Sequence, residues 1–354
     1  MAEPGEAPSD EEIVTRVDRL LAHFLDERAE SLAHVGPELA PMTEAARRLV
    51  LDGGKRLRPR FAYWGWRAVR PATDDDEAVV TAAASLELVH ACALAHDDLM
   101  DSSRTRRGNP TAHVSFAEMH DAAGWSGASE TFGASAAILL GDLLLAWADT
   151  LFARACLPGA QRVFDDMRQM VMAGQYLDVL IQARAEFSAD SALRVAEFKT
   201  SKYTVEGPLH LGARAAGASQ PVLAALTGYA IPLGEAFQLR DDVLGVFGDP
   251  SITGKPAGDD LLEGKQTLLV ALAMQGATAA QGAALRADLG RRDLDADGIA
   301  YLREVIVGSG ALEQVEARIA ARAEQARGAL TDVLAREARD ALDSLITAAT
   351  QRHV

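Results

Sequence analysis

Residues 77–101 read EAVVTAAASLELVHACALAHDDLMD. Twenty-five positions without Gly or Pro predict one long helix, and its last turns concentrate the acidic groups. At ~100° per residue, His90, Asp97 and Asp101 fall within about 40° of arc. Asp97 and Asp101 are one turn apart and therefore neighbours, with Asp98 beside them. Three carboxylates packed this way repel one another unless a cation is present, and hard oxygen ligands on one stripe suit Mg²⁺. The plainer alternative is a solvated acidic helix end. Against it, anions at a helix C-terminus oppose the macrodipole. His90 taken alone reads as a satisfied buried histidine.

Outward from this helix the same pattern recurs. Met1–Pro8 reads as a disordered leader. Ser9-Asp10-Glu11-Glu12 then forms a capping box, with Ile13, Val17, Leu20, Leu21 and Phe24 following at helical spacing. Long Ala/Leu/Val/Arg/Glu runs predict helices at 11–32, 40–51, 57–70, 77–101, 130–156, 160–185, 190–217, 220–247, 261–275, 279–290, 296–308 and 311–350, the last broken once. No period-2 alternation is sustained, and aromatics are only 5%, which fits helices better than sheets. Two stretches read as irregular, Ser102 to about Ser129 and Asp249 to Lys265, and loops of this length are usually functional or disordered. No Pro/Ser linker divides the chain, so residues 9–354 are expected to form a single all-α domain.

A second acidic pair closes another apolar helix, GEAFQLRDDVLGVFGDP at 234–250, with Asp241 and Asp242 preceded one turn earlier by Gln238. Cations follow both pairs. SSRTRRGNPTAH carries Arg106 and Arg107, and TGKPAGDDLLEGKQT carries Lys255 and Lys265. Ahead of both lies GGKRLRPR, with Lys55, Arg56 and Arg58 behind two glycines. Acidic clusters and cations belong together where the ligand is a diphosphate: Mg²⁺ bridges carboxylate to phosphate, and Arg grips the remaining oxygens bidentately.

Other classes find little support. The net charge of −16 argues against nucleic-acid binding, which draws on Lys and Arg neutralising phosphates. GGKR lacks the spaced glycines and Lys-Ser/Thr ending of a P-loop, and no nucleophile elbow, His-Glu-x-x-His or dinucleotide fingerprint is present. Cys92 and Cys156 give neither a zinc motif nor a disulfide framework. The acidic amino terminus is unlike a signal peptide, and no uncharged run approaches the ~20 residues of a membrane span. A cytoplasmic location is expected.

Taken in order, GGKRLRP, DDLMD followed by RRGNP, FKT at 198–200, FQLRDD, and GK with GKQT resemble the trans-isoprenyl diphosphate synthases (polyprenyl synthetases), most of all bacterial geranylgeranyl diphosphate synthases. The similarity runs from about Arg48 to the final helices. It implies a bundle of long helices around a deep central cavity, usually a homodimer. It also implies that Asp97, Asp98, Asp101 and Asp241 hold up to three Mg²⁺ on an allylic diphosphate, which Arg106, Lys199, Thr200, Gln238, Asp242, Lys255 and Lys265 contact. Lys55, Arg58, His90 and Arg107 would hold isopentenyl diphosphate. Lys202 competes with Lys199, which is favoured because Thr200 follows it. One departure stands out: Gly245 occupies the place where many relatives carry a third aspartate, and Asp249 could contribute through water.

The implied reaction ionises the allylic carbon–oxygen bond and lets the isopentenyl double bond attack, with a proton then lost to the released diphosphate. In the family, bulky residues four and five positions before the first aspartate block the growing chain. Here these are Ala93 and Cys92, both small, so a twenty-carbon product is expected. Close helix packing is the alternative reason for two small residues. Farnesyl or longer products, a class I terpene cyclase, a metal phosphohydrolase around His90, His96, Asp97 and Asp98, and a non-catalytic partner subunit are the competing readings. The second set of cations weighs against the cyclase, the rotation of His96 off the aspartate stripe against the phosphohydrolase, and the intact aspartates against the partner subunit.

Overall fold

The capping box at Ser9 forms: its hydroxyl accepts from the Glu12 amide, and the Glu12 carboxylate accepts from the Ser9 amide at 2.8 Å. It opens α1 (Asp10–Ala33) in a computed structural model that describes residues 8–70, 75–249 and 258–350. The expected leader therefore lies almost wholly outside the described residues. After a 3₁₀ turn come α2 (Ala40–Leu51), α3 (Leu57–Arg67), α4 (Glu77–Met100), α5 (Ala112–Ala123), α6 (Ser129–Arg154) and α7 (Pro158–Ala183). Then α8 (Ala189–Val195) runs into a π-helix (Ala196–Glu206), followed by α9 (Gly207–Ala215) and α10 (Gln220–Phe247). The chain ends with α11 (Asp259–Glu263), α12 (Leu268–Gly276), α13 (Ala279–Asp288), α14 (Ala296–Gly308), α15 (Ala311–Gly328) and α16 (Arg336–Thr350). Among the described residues the only strands are a two-residue antiparallel pair, Thr105–Arg106 with Asn109–Pro110. The protein is all-α, as expected.

Three expectations need correction. The stretch from Ser102 to Ser129 is not irregular throughout, because α5 occupies twelve of its residues. Its β-branched, Ser and His content masked a helix that packing on α6 supports. The helix expected at 261–275 is two helices, split at Gly264, which takes a left-handed φ of 79°. By length and composition three helices could cross a membrane: Glu77–Met100, Ser129–Arg154 and Gln220–Phe247 reach mean hydropathies of 1.7, 1.7 and 1.2. Within α4, 72% of that apolar window is buried inside the protein, so core packing accounts for its composition.

The chain divides into two compact units. The first comprises the residues up to Phe164 together with Pro208–Ser219. Its centre is α4, packed against α3, α5 and α6, with Leu86, Leu88, Leu140 and Leu144 fully buried. Gly65 and Gly212 let α3 and α9 touch backbone to backbone: a Cβ on Gly212 would stand 1.8 Å from the Ala62 carbonyl oxygen. The amino-terminal helix is clamped by ions, since Arg16 pairs with Asp76 and the Trp64 indole donates to Asp10. The second unit, Asp165–Gly207 with the residues from Gln220 onward, is built on α10, flanked by the π-helix and α15. Its core joins Leu239, Val243 and Val246 of α10 to Leu261, Leu269, Ile306 and Ile319.

Candidate active site

In the first unit, α4 delivers the acidic stripe and the turn beyond it delivers the cations. Asp98 is almost wholly buried and Asp101 nearly so, whereas Asp97 keeps partial access to solvent. Both oxygens of Asp98 accept from the Arg106 guanidinium, with Nε at 2.8 and 2.9 Å. In this geometry Asp98 is the counter-ion that aims Arg106, with Asp97 and Asp101 beside it on the same helix end. The two-residue β pair folds the loop back so that Arg106 returns to its own helix end. That return neutralises the anion at the helix C-terminus which made the plain acidic-end reading unattractive.

Beside this lies a basic nest. Arg56 is buried, its Nε donating to Asp18 at 2.7 Å and its Nη1 to Glu87 at 2.8 Å. Arg107 donates to the Asp52 carbonyl at 2.5 Å and lies across Gly53 and Gly54, where a Cβ on Gly54 would stand 3.2 Å from its Nη2. Arg56 and Arg107 both take left-handed backbone, φ 49° and 52°, strain of ~1–3 kcal/mol each that gathers at functional turns. His90 points its Nδ1 into a solvent-free position with no hydrogen-bond partner. Burial first, then the charges of Arg58, Arg107, Arg106 and Arg56, hold its pKa well below the usual imidazole value, so it is neutral. Burial and the same crowding by Arg106 and Arg56 lower the pKa of Arg107. Cations forced together in this way bind an anion to relieve their repulsion.

One turn before the aspartates, Cys92 faces His96 across 3.9 Å, and burial pushes its thiol up to about 12. The His96 ring fills the hollow at Gly141 of α6, with Nε2 3.1 Å from the Ile138 carbonyl oxygen. Cys92 is thus packed toward α6, and Ala93, partly buried, is the more open of the two positions.

In the second unit the π-helix brings Lys199 and Thr200 into place. Lys199 Nζ lies 2.7 Å from Asp178, and Lys202 Nζ lies 2.8 Å from Glu206. Thr200 donates to Gln238, whose amide donates in turn to Asp242 at 2.8 Å. That chain ties the Lys199 helix to the second acidic pair. Lys265 pairs with Glu263 at 3.1 Å and lies 3.9 Å from Asp260. Asp242 is raised to about 8, chiefly by burial, with Asp260 and Asp241 repelling its charge and Gln238 and Lys265 partly compensating. Lys255 lies outside the described residues. Sequence reasoning missed Asp178, Glu87 and Asp18, whose partners lie 21, 31 and 38 positions away.

These residues fit magnesium. Among the described residues no three carboxylate, imidazole or thiol groups converge closely enough to cage a metal by themselves. Mg²⁺ is normally held by one or two carboxylates, its waters and substrate phosphates, and a cation near Asp241 and Asp242 would relieve the repulsion that, with burial, drives Asp242 toward protonation.

Comparison with known proteins agrees with this geometry. Residues 40–306 match the family model described as polyprenyl synthetase. The geranylfarnesyl diphosphate synthase of Aeropyrum pernix is 33% identical over 84% of this chain and 89% of its own length. A short chain isoprenyl diphosphate synthase of Methanothermobacter thermautotrophicus is 31% identical, covering 92% and 94%. A crystal structure of geranylgeranyl pyrophosphate synthase from Corynebacterium glutamicum, complexed with isoprenyl diphosphate and magnesium, superposes with a TM-score of 0.94 at 40% identity, covering 98% of this chain and 100% of that one. The chain belongs to the polyprenyl synthetase family of prenyltransferases.

Proposed function

We propose that the protein condenses an allylic diphosphate with isopentenyl diphosphate in a Mg²⁺-dependent reaction, making geranylgeranyl diphosphate. The observation that carries this reading is that each unit has an acidic helix end with its own cations, and that the first unit adds a separate basic nest around His90. Asp97, Asp101 and Asp241 would hold up to three Mg²⁺ on the allylic diphosphate. When bound, the metal supplies charge neutralisation for the departing group. Arg106, aimed by Asp98, and Lys199, aimed by Asp178, stabilise the negative charge that builds as the carbon–oxygen bond ionises. Gln238, Thr200, Asp242, Lys255 and Lys265 orient the same headgroup. Lys55, Arg58 and Arg107 grip isopentenyl diphosphate, with neutral His90 as a donor rather than a further charge. Its double bond attacks the allylic cation, and the proton then leaves to the released diphosphate. Apolar, Ala-rich helix walls below the aspartates would keep out water that would quench the cation.

The twenty-carbon product rests on Ala93 and Cys92 being small; relatives in this chain's family are named for farnesyl, geranylgeranyl and geranylfarnesyl products alike. We also read the protein as a cytoplasmic homodimer, the second copy covering exposed Ile138 and Leu139 on α6.

The test is to incubate the purified protein with Mg²⁺, isopentenyl diphosphate and each allylic diphosphate in turn, and to weigh the products by mass spectrometry. Asp97→Ala and Asp241→Ala should each nearly abolish turnover, and Ala93→Phe should shorten the product. Cys92→Phe should shorten it less, because Cys92 faces α6. Turnover independent of isopentenyl diphosphate would reject the condensation, and unchanged length in both Phe variants would reject the chain-length assignment.

A further inference from the structure

We propose that Thr111 is a positioning residue: its hydroxyl closes the base of the short hairpin at 103–111 and so fixes where the adjacent Arg106 and Arg107 stand. The role rests on the reading of those arginines given above, Arg106 for the allylic diphosphate and Arg107 for isopentenyl diphosphate. The two side chains leave the hairpin for different anchors. Arg106 returns to Asp98 at the end of α4, its Nε 2.8 Å from Oδ1, whereas Arg107 reaches the Asp52 carbonyl. Their spacing is therefore set by the few residues that join them.

Those residues do not hold themselves. The ladder is two pairs long, Thr105 with Pro110 and Arg106 with Asn109, and a hairpin this short is marginal by itself. Its two-residue turn takes φ of 52° at Arg107 and 77° at Gly108, the type I′ pattern, in which Asn, Asp or Gly usually stands where Arg107 does. The closure comes from Thr111. Its amide donates to the Arg104 carbonyl at 3.1 Å and its hydroxyl to the Ser103 carbonyl at 2.8 Å. Ser103 is in turn fixed to α4, its amide donating to the Asp98 carbonyl at 2.8 Å. One threonine thus ties the outgoing limb of the hairpin to the incoming one, and through it to the helix end that carries the aspartates.

Two features separate this from ordinary capping. Thr111 is the N-cap residue of α5, where a threonine hydroxyl normally accepts from an amide of the first turn, yet it makes no such bond. Having given its proton to Ser103, the hydroxyl oxygen accepts instead from His113 Nδ1 at 3.2 Å, which places the proton of that imidazole on Nδ1. Thr111 is also 2% exposed and Ser103 5%, so the bond between them is shielded from water.

The experiment pairs Thr111→Val, which keeps the shape and removes the hydroxyl, with Thr111→Ser, which keeps the hydroxyl. Inorganic pyrophosphate is titrated calorimetrically into the metal-free full chain to read the nest at Arg107, and KM and kcat are measured for each substrate. Thr111→Val should weaken pyrophosphate by ~10- to 100-fold, the loss of one charge-assisted contact, and should raise KM for both diphosphates. Thr111→Ser should stay within a few-fold of wild type, and Arg107→Gln should raise KM for isopentenyl diphosphate alone. A fall in kcat with both KM values unchanged in Thr111→Val would mark a merely structural role and overturn the proposal, as would equal losses in the Val and Ser variants. Wild-type affinity and KM in Thr111→Val, with pyrophosphate binding lost in Arg107→Gln, would overturn the positioning role alone. Wild-type pyrophosphate binding in Arg107→Gln would overturn the reading of the nest on which it rests. If the Val variant does not fold, hydrogen exchange of the wild type decides: the Thr111 amide should exchange far more slowly than that of exposed Gly108, and equal rates would overturn the closure.

Discussion

Asp242 sits where a carboxylate is least welcome: buried, beside Asp241 and Asp260, and raised to about 8 from an ordinary value of about 3.9. A folded state that keeps a proton which the unfolded chain releases loses stability as pH rises through that window. Below about pH 4 both states hold the proton, and the penalty vanishes. The metal-free protein should therefore unfold at progressively lower urea between about pH 5 and about pH 8, and Asp242→Asn should flatten that slope. A wild-type midpoint that is level across this range would show that Asp242 stays ionised at no cost. At this scale the sequence displayed the titratable groups but not their partners. Asp241-Asp242 and Arg106 stood out by local pattern. Asp178, Glu87 and Asp18 did not, because each acts on a residue brought in from elsewhere by the fold. Gly245 stood out as a departure in the motif, but its neighbour in space, Asp260, lies fifteen positions later and was not visible from the sequence.

The π-helix over Ala196–Glu206 shows how an element places chemistry that propensity alone does not announce. Apolar spacing made 190–217 one helix, and the chain is indeed helical almost throughout, but the widened turns re-aim Lys199 and Thr200. Two glycines on neighbouring helices receive it. A Cβ on Gly174 would meet the Lys199 amide nitrogen at 2.5 Å, and one on Gly234 would meet Ser201 Cα at 2.3 Å. Gly234→Ala should then destabilise by ~1–3 kcal/mol through overpacking, and should lower kcat as Thr200 moves off Gln238. Gly228→Ala on the same helix, with its nearest neighbour at 3.4 Å, should change stability by no more than ~1 kcal/mol. Urea midpoints and turnover for the pair check this; equal effects at both positions would mean that close approach to the π-helix is unimportant. The bounds of 220–247 and 296–308 were legible to the residue, since apolar periodicity marks both and Asp295 caps the second. α5 was not, because its stability comes from packing on α6.

At the level of the whole molecule, α6 raises a question of cover. It is as apolar as α4, with a mean hydropathy of 1.7, yet only half of its apolar window is buried inside the protein. Ile138 and Leu139 are 47% and 58% exposed on adjacent positions. A net charge of −16 opposes association of two copies by simple repulsion, so an interface must be carried by apolar contact rather than by ion pairs. The same helix buries Leu140 and Leu144 against its own unit, so a change at its outer face need not disturb the inner one. Leu139→Glu places a charge at the centre of that face without adding volume to the core. It should convert the proposed dimer into a monomer in sedimentation velocity at micromolar concentration while the melting transition stays cooperative. Higher salt should favour the wild-type dimer by screening the repulsion between copies, since the Debye length falls from ~10 Å at 0.1 M to ~3 Å at 1 M. A wild-type protein that sediments as a monomer at both ionic strengths would leave the apolar face without a second copy as its occupant, and would end this reading.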